Sequence, residues 1–245
     1  MNMKDKVVVI TGGNSGIGYA TAKELKSLGA KVTITGRRKA ALEEAAADLG
    51  VDAIVADQSK LEDIEQLVAA VKEQHGNVDF LFINAGIAQT SLIAAATEQH
   101  FDDIMDINFK GAYFTLSRFI PLLQAGSSVI FLSSNTASMN HPASSVYSAS
   151  KAALNVIMRV AALELAPLGI RVNAVSPGPT QTEVLNKAGL DASALAQLQE
   201  QIVARVPLAK MGTADDVAKM VAYLFGEHAS FITGSEFIMD GGMVL

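Results

Sequence analysis

Two side chains in the second half of the chain are spaced for acid–base chemistry. Tyr147 and Lys151 stand four residues apart in Tyr147-Ser148-Ala149-Ser150-Lys151, so on a helix they share one face. A phenol with a pKa of about 10 is a poor base near neutrality, but an adjacent ammonium favours the phenolate and draws its pKa toward working pH. On spacing alone such a pair is an ordinary feature of a helix surface. What changes the reading is Ser134, thirteen residues before Tyr147 at the end of an apolar β-branched run. Open α/β sheets bind ligands at the carboxyl ends of their strands, and a hydroxyl there can stabilise charge developing on a substrate oxygen.

A second constellation lies near the start. Thr11-Gly12-Gly13-Asn14-Ser15-Gly16-Ile17-Gly18 follows the first apolar run and opens a helical segment. Glycines at 12, 16 and 18 let the backbone turn sharply, approach a pyrophosphate and pack helix against sheet, and the helix N-terminus supplies N–H donors. After the second run comes Thr35-Gly36-Arg37-Arg38. A carboxylate at this place would bond a ribose 2′-hydroxyl; two guanidiniums instead suit a 2′-phosphate, so the pattern predicts NADP(H).

The three-residue gap between Gly12 and Gly16 resembles the short-chain dehydrogenase/reductase family, and further matches extend over nearly the whole chain. The resemblance implies a tetrad of Asn108, Ser134, Tyr147 and Lys151. It selects Ser134 over Ser133 by the distance to the tyrosine. Asn108 would hold a water beside the lysine, Lys151 would hold the nicotinamide ribose, and Tyr147 would exchange a proton with a carbonyl or alcohol oxygen as hydride moves. The resemblance also assigns Asp57 to the adenine amino group, although a helix-capping role, which the run Asp57-Gln58-Ser59 admits, accounts equally well for Asp57. Asn84-Ala85-Gly86 would lie at the adenine ribose. Pro177-Gly178 would lie over the nicotinamide with Thr182 on its carboxamide; Thr180 departs from the aliphatic residue many relatives carry. A homotetramer is implied, with the Tyr147 helix and the last helix and strand at its interfaces.

The elements that must position these groups are legible as alternation. Short apolar runs at Lys6 to Ile10, Lys31 to Thr35, Ala53 to Ala56, Phe80 to Ile83, Ser128 to Leu132 and Arg171 to Val175, with Glu236 to Met239 as a seventh, are separated by segments of helical period. This predicts one doubly wound α/β domain over 1–245, a mainly parallel seven-stranded sheet with helices on both faces. Thr213 followed by Asp215-Asp216 marks a helix start, and Pro167 with Gly169 marks the end of the helix that begins near Ser145. The segment 179–207 is long enough to predict a substrate-binding lid with helical structure of its own.

Composition narrows the function. The 245 residues are 50% hydrophobic and contain no cysteine, which removes thiolate nucleophiles, cysteine-based zinc sites and disulfides, and fits a reducing, cytoplasmic setting. The start lacks the apolar core of a signal peptide, and no apolar run approaches a membrane span. A net charge of −6 without a basic cluster argues against nucleic acid. No metal is required by the chemistry above. Ala88, Gln89, Asn135, Met139, His141, Val146, Leu185 and Leu190 are the predicted substrate wall. They are mostly apolar, which favours a neutral or modestly polar ketone over a phosphorylated or acyl-carrier substrate. Two rival functions use the same fold: a nonredox epimerase, and a regulatory protein that binds a nucleotide without turnover.

Overall fold

The computed structural model describes residues 2–139, 141–181 and 192–245. Seven parallel strands form one sheet in the order β3-β2-β1-β4-β5-β6-β9: β1 (Val7–Thr11), β2 (Lys31–Gly36), β3 (Asp52–Val55), β4 (Val78–Ile83), β5 (Leu123–Leu132), β6 (Arg171–Pro177) and β9 (Glu236–Met239). The central strands are buried on both sides; in β1, Val8, Val9 and Ile10 have no exposed surface. That explains why they read as continuous apolar runs rather than as alternation. β3, by contrast, is an edge strand with mostly exposed side chains, and it starts one residue earlier than the sequence pattern predicts because it carries little burial signal.

Helices α1 (Gly16–Ser27), α2 (Lys39–Leu49) and α8 (Ala214–Phe225) cover one face of the sheet, and α3 (Leu61–His75), α5 (Ala112–Phe119) and α6 (Ser145–Leu165) cover the other. Each side has its own apolar layer. Val8, Ile10, Ile34 and Phe82 meet Leu25 and Val221 on the first, while Val9, Leu81 and Phe131 meet Leu67, Phe119 and Met158 on the second. The Ala45-Ala46 pair of α2 is buried, letting that helix lie close to the sheet. α7 (Ala192–Val203) falls inside the predicted lid segment, and a short parallel pair joins β7 (Thr180–Gln181), before α7, to β8 (Gly212–Thr213), directly before α8.

Local chemistry sets the helix ends. Thr213 accepts from the Asp216 amide while the Asp216 carboxylate accepts from the Thr213 amide, a reciprocal capping box that starts α8. α6 runs into a short 3-10 turn at Ala166–Leu168 and is stopped by Gly169 at φ 72°. The helical stretch after β4 differs from a simple helix: between α4 (Glu98–Met105) and α5 the turn Asp106–Gly111 is π-helical. Apolar spacing cannot reveal it, because one added residue per turn leaves the pattern on either side intact.

The sheet order reverses between β1 and β4, which carry their connecting helices to opposite faces. A crevice opens outside the carboxyl ends of the strands at such a point.

Candidate active site

A cleft of about 590 Å³ occupies that crevice. One end is the glycine loop. Gly12 and Gly16 adopt φ 68° and 56°, in the left-handed region open to glycine. A Cβ on Gly18 would stand 2.3 Å from the Gly12 carbonyl oxygen, so β1 and α1 meet backbone to backbone. Gly13, which the sequence reading passed over, is equally constrained: a Cβ there would lie 2.5 Å from the Ile34 side chain. Ser15 caps α1 without a side-chain hydrogen bond, so the first-turn amides keep donors available to an anion.

Asn84 braces this loop from β4. Its amide donates to the Thr11 and Gly12 carbonyls at 2.8 and 2.9 Å, and the Thr11 hydroxyl oxygen accepts from the Asn84 and Ala85 amides, both at 3.0 Å. Asn84 thus shapes the site from behind, while Ala85 and Gly86 present backbone to the cleft. Arg37 and Arg38 line it beside Thr35 and Gly36; both are exposed, and neither takes part in an ion pair among the described residues. Asp57 also lines the cleft, and its Oδ1 accepts from the Ser59 amide at 3.0 Å and the Ser59 hydroxyl at 2.8 Å. Asp57 thus closes a local turn onto Ser59 and does not cap α3, whose N-cap is Lys60 without a side-chain cap bond. The first-turn acids of α3 lie beyond it, where Asp63 accepts from the Asp57 amide.

At the other end of the cleft stand Tyr147 and Lys151, on the first turns of α6. The Lys151 ammonium nitrogen is 5.9 Å from the Tyr147 ring centroid and donates to the Leu132 carbonyl at 2.8 Å. Ser134, just past β5, accepts from both the amide and the hydroxyl of Thr136 at 3.2 and 3.0 Å. With its oxygen accepting from Thr136, the Ser134 hydroxyl keeps its own hydrogen to give, and its proximity favours the phenolate of Tyr147. Thr136 is a participant that no motif announced. Ser133 turns into the interior, where its hydroxyl donates to the Lys151 carbonyl at 3.3 Å.

Burial controls the protonation of this pair. Lys151, only 3% exposed, has its pKa brought down to about 8 because the charged amine loses hydration. The phenol of Tyr147 is pushed above its ordinary value by desolvation, with the Ser134 hydrogen bond opposing that rise. The depression foreseen from an adjacent ammonium is not found: desolvation raises the phenol, and the opposing influence comes from Ser134 rather than from Lys151.

Asn108 sits in the π-turn with no exposed surface. Its Oδ1 accepts from the Ile87 amide at 2.8 Å, and its Nδ2 donates to the Ile87 carbonyl at 2.9 Å and to Ser150 at 3.2 Å. The side chain expected to hold a water beside the lysine also ties the Ile87 backbone to α6. It presses the strand exit against α6: a Cβ on Gly86 would lie 3.1 Å from Asn108 Oδ1 and 3.4 Å from Lys151 Nζ.

The predicted substrate wall comes together only in part. Ala88, Gln89 and Tyr147 border the cleft. Asn135 is buried, and its amide donates to Asp240 at 3.3 Å and to the Met139 sulfur at 3.3 Å. Asn135 and Met139 therefore serve the packing of the C-terminal turn. His141 is exposed with its Nδ1 2.8 Å from the Pro142 carbonyl, and Val146 is half-buried. Gly178, after Pro177, packs on Asp240, whose Cβ would be 2.4 Å from a Cβ at 178; the Thr180 hydroxyl donates to the Gly178 carbonyl at 3.0 Å. Thr182, Leu185 and Leu190 lie outside the described residues.

The residues of the cleft fit a dinucleotide: a backbone cradle that admits no Cβ, first-turn amides without a side-chain cap, and two exposed guanidiniums without ion partners among the described residues. Similarity to known proteins points the same way. The family model described as enoyl-(acyl carrier protein) reductase matches residues 12–244. An uncharacterized oxidoreductase of Methylorubrum extorquens is 37% identical, with 98% of each chain covered. The 3-oxoacyl-(acyl-carrier-protein) reductase of Staphylococcus epidermidis is 33% identical over 98% of this chain and 100% of its own. Among solved structures, a Pseudomonas aeruginosa protein, RhlG, described as an NADP active-site complex, superposes with a TM-score of 0.92 at 27% identity, covering 100% of this chain and 98% of that one. A Serratia marcescens short-chain dehydrogenase/reductase gives 0.93 at 29% identity, with both chains covered completely. A glycine cradle leading to a serine, tyrosine and lysine at one sheet edge, on a chain matched from end to end by such relatives, identifies this protein as an oxidoreductase of the short-chain dehydrogenase/reductase family.

Proposed function

We propose that the chain is an NADP(H)-dependent oxidoreductase acting between a ketone or aldehyde and the corresponding alcohol, with Tyr147 as general acid and base. The observation that carries this reading is the grouping at one sheet edge of Ser134, held by two hydrogen bonds from Thr136, with Tyr147 and a buried Lys151 that line the cleft 5.9 Å apart from amine to ring centroid. A nicotinamide, when bound, supplies or takes up the hydride. In reduction Ser134 and Tyr147 hydrogen-bond the substrate oxygen, and Tyr147 gives up its proton as that oxygen becomes a hydroxyl. The Lys151 amine stabilises the resulting phenolate and holds the nicotinamide ribose. Asn108 fixes the Ile87 backbone that flanks the amine. Glycines 12, 16 and 18 with Asn14, Ser15 and Ile17 take the pyrophosphate, and Arg37 with Arg38 takes the 2′-phosphate.

The substrate is a neutral or modestly polar carbonyl compound, in keeping with Ala88, Gln89 and Ile87 at the cleft. Segment 179–207 acts as its lid. The apolar face of α6 at Val156, Val160 and Leu163 is exposed, so it is free for subunit contact, as are Phe231 and Ile238 near the last strand. These two faces support a homotetramer, and the absence of cysteine suits the cytoplasm.

A panel of aldehydes and ketones assayed with NADPH and NADH in parallel tests the assignment. Turnover with NADPH is expected, and Tyr147→Phe is expected to lower kcat by about a thousandfold while cofactor still binds. Cofactor binding by the parent without turnover of any carbonyl would favour the regulatory reading, and isomerisation without net NADPH oxidation the epimerase.

A further inference from the structure

Gln58 follows Asp57 in the loop after β3, belongs to no motif singled out in the sequence, and is nearly buried, with 8% of its surface exposed at the cleft. Its Nε2 donates to two carbonyls from separate segments, Ala85 after β4 and Ile107 in the π-turn, each at 3.0 Å. A π-turn tilts carbonyls away from the helix axis and into reach of outside donors. The Gln58 loop and the π-turn meet at the backbone as well, since a Cβ on Gly111 would stand 2.1 Å from the Gln58 carbonyl oxygen.

The strand exit Ala85–Ile87 is thus clamped to the π-turn twice. Gln58 holds it through Ala85 and Asn108 holds it through Ile87. Gly86 lies between the clamps, against Lys151. Stability alone is a poor account of Gln58, because its Oε1 is buried without a hydrogen-bond partner among the described residues, a cost that an apolar side chain would avoid.

We propose that Gln58 is a positioning residue for Lys151: by tying Ala85 to Ile107 it sets Gly86 against the lysine amine and keeps that amine dry. The proposal rests on the role given to Lys151 and Tyr147 above. Charged and titratable groups on the surrounding segments are Asp57, Lys60 and Asp63 near Gln58, Asp106 and Lys110 on the π-turn, and Tyr147 and Lys151 on α6; no hydrogen bond joins any of these side chains to the Gln58 amide.

Two variants test it. Gln58→Leu removes both donors, and Gln58→Glu keeps the shape but offers a carboxylate that repels both carbonyls. In each, kcat is expected to fall about tenfold while the KM for NADPH changes less than about threefold, in proportion to the loss of one or two buried hydrogen bonds. The ionisation near pH 8 in the pH profile of kcat is expected to move to higher pH as water reaches Lys151. A merely structural glutamine would lower the melting temperature and leave the profile of the folded enzyme in place. A folded variant of either kind with the parent kcat and the parent pH profile overturns the proposal, and Gln58→Glu decides it should Gln58→Leu not fold. Retained turnover in Tyr147→Phe would instead sink the underlying mechanism, so the two failures are told apart.

Discussion

At the phosphate end of the cleft backbone touches backbone, whereas at the chemical end side chains hold one another. Gly18 stands against the Gly12 carbonyl and Gly13 against Ile34, with clearances that exclude even a methyl group. Around Tyr147 the contacts are Thr136 to Ser134, Lys151 to Leu132, and Asn108 to Ile87. In the proposed function the first arrangement would bind by having fixed donors where an anion sits. The second sets protonation states by burial, and burial responds to any change in the packing around it. If the proposed function holds, binding and chemistry are separable by mutation, and each end fails in its own way.

The largest effect is expected from Gly18→Val. Its side chain would enter space held by the Gly12 carbonyl and the Asn84 amide, costing about 3 kcal/mol or more in overpacking. Thermal melting is expected to show a large loss of stability, and titration by nicotinamide fluorescence a loss of cofactor binding. Near-parent values of both would mean the phosphate end is not built by close approach.

Lys151→Met tests the burial argument through pH. The folded pKa of about 8 lies below the ordinary lysine value of 10.5, so the folded state pays for protonating this amine. That penalty is fully present below about pH 8 and disappears as pH rises past the unfolded value. The variant, which loses activity, is expected to be stabilised relative to the parent by about 2 kcal/mol more at pH 6.5 than at pH 10. Denaturation curves giving a pH-independent difference would show that Lys151 is not desolvated.

Replacing Arg37 and Arg38 together by alanine is expected to raise the KM for NADPH about tenfold, the loss of a charge-assisted contact, with little effect on NADH. Equal effects on the two cofactors would remove these arginines from 2′-phosphate recognition. The smallest change is expected at His141, exposed and bonded to its neighbour's carbonyl. His141→Ala should alter kcat by less than about threefold; a larger loss would bring the 141–144 turn into the chemistry and blur the division between the two ends.

Legibility in the sequence follows the same division. Glycine spacing reports backbone clearance directly, so the cradle was visible at 12, 16 and 18. Gly13 was missed because its constraint is a side chain on another strand, Ile34. The strands appeared as apolar runs except β3, where exposure at the sheet edge weakens the signal. Tyr147 and Lys151 could be paired because one helical turn joins them. Thr136, Gln58 and the commitment of Asn108 to Ile87 could not be read, since each depends on segments brought together by the sheet. Asn135 looked like substrate wall by its place after β5, yet Asp240, 105 residues away, takes its amide.

What the sequence determined by itself is what local rules govern: alternation of strand and helix, the turn that only glycines permit, and two reactive side chains on one helical face. The tertiary structure decided protonation and partnership. Desolvation of Lys151, the rise in the Tyr147 pKa and the double clamp on Gly86 arise only when distant segments exclude water from the same small volume, and exclusion of water is a property of packing in three dimensions rather than of order along a chain.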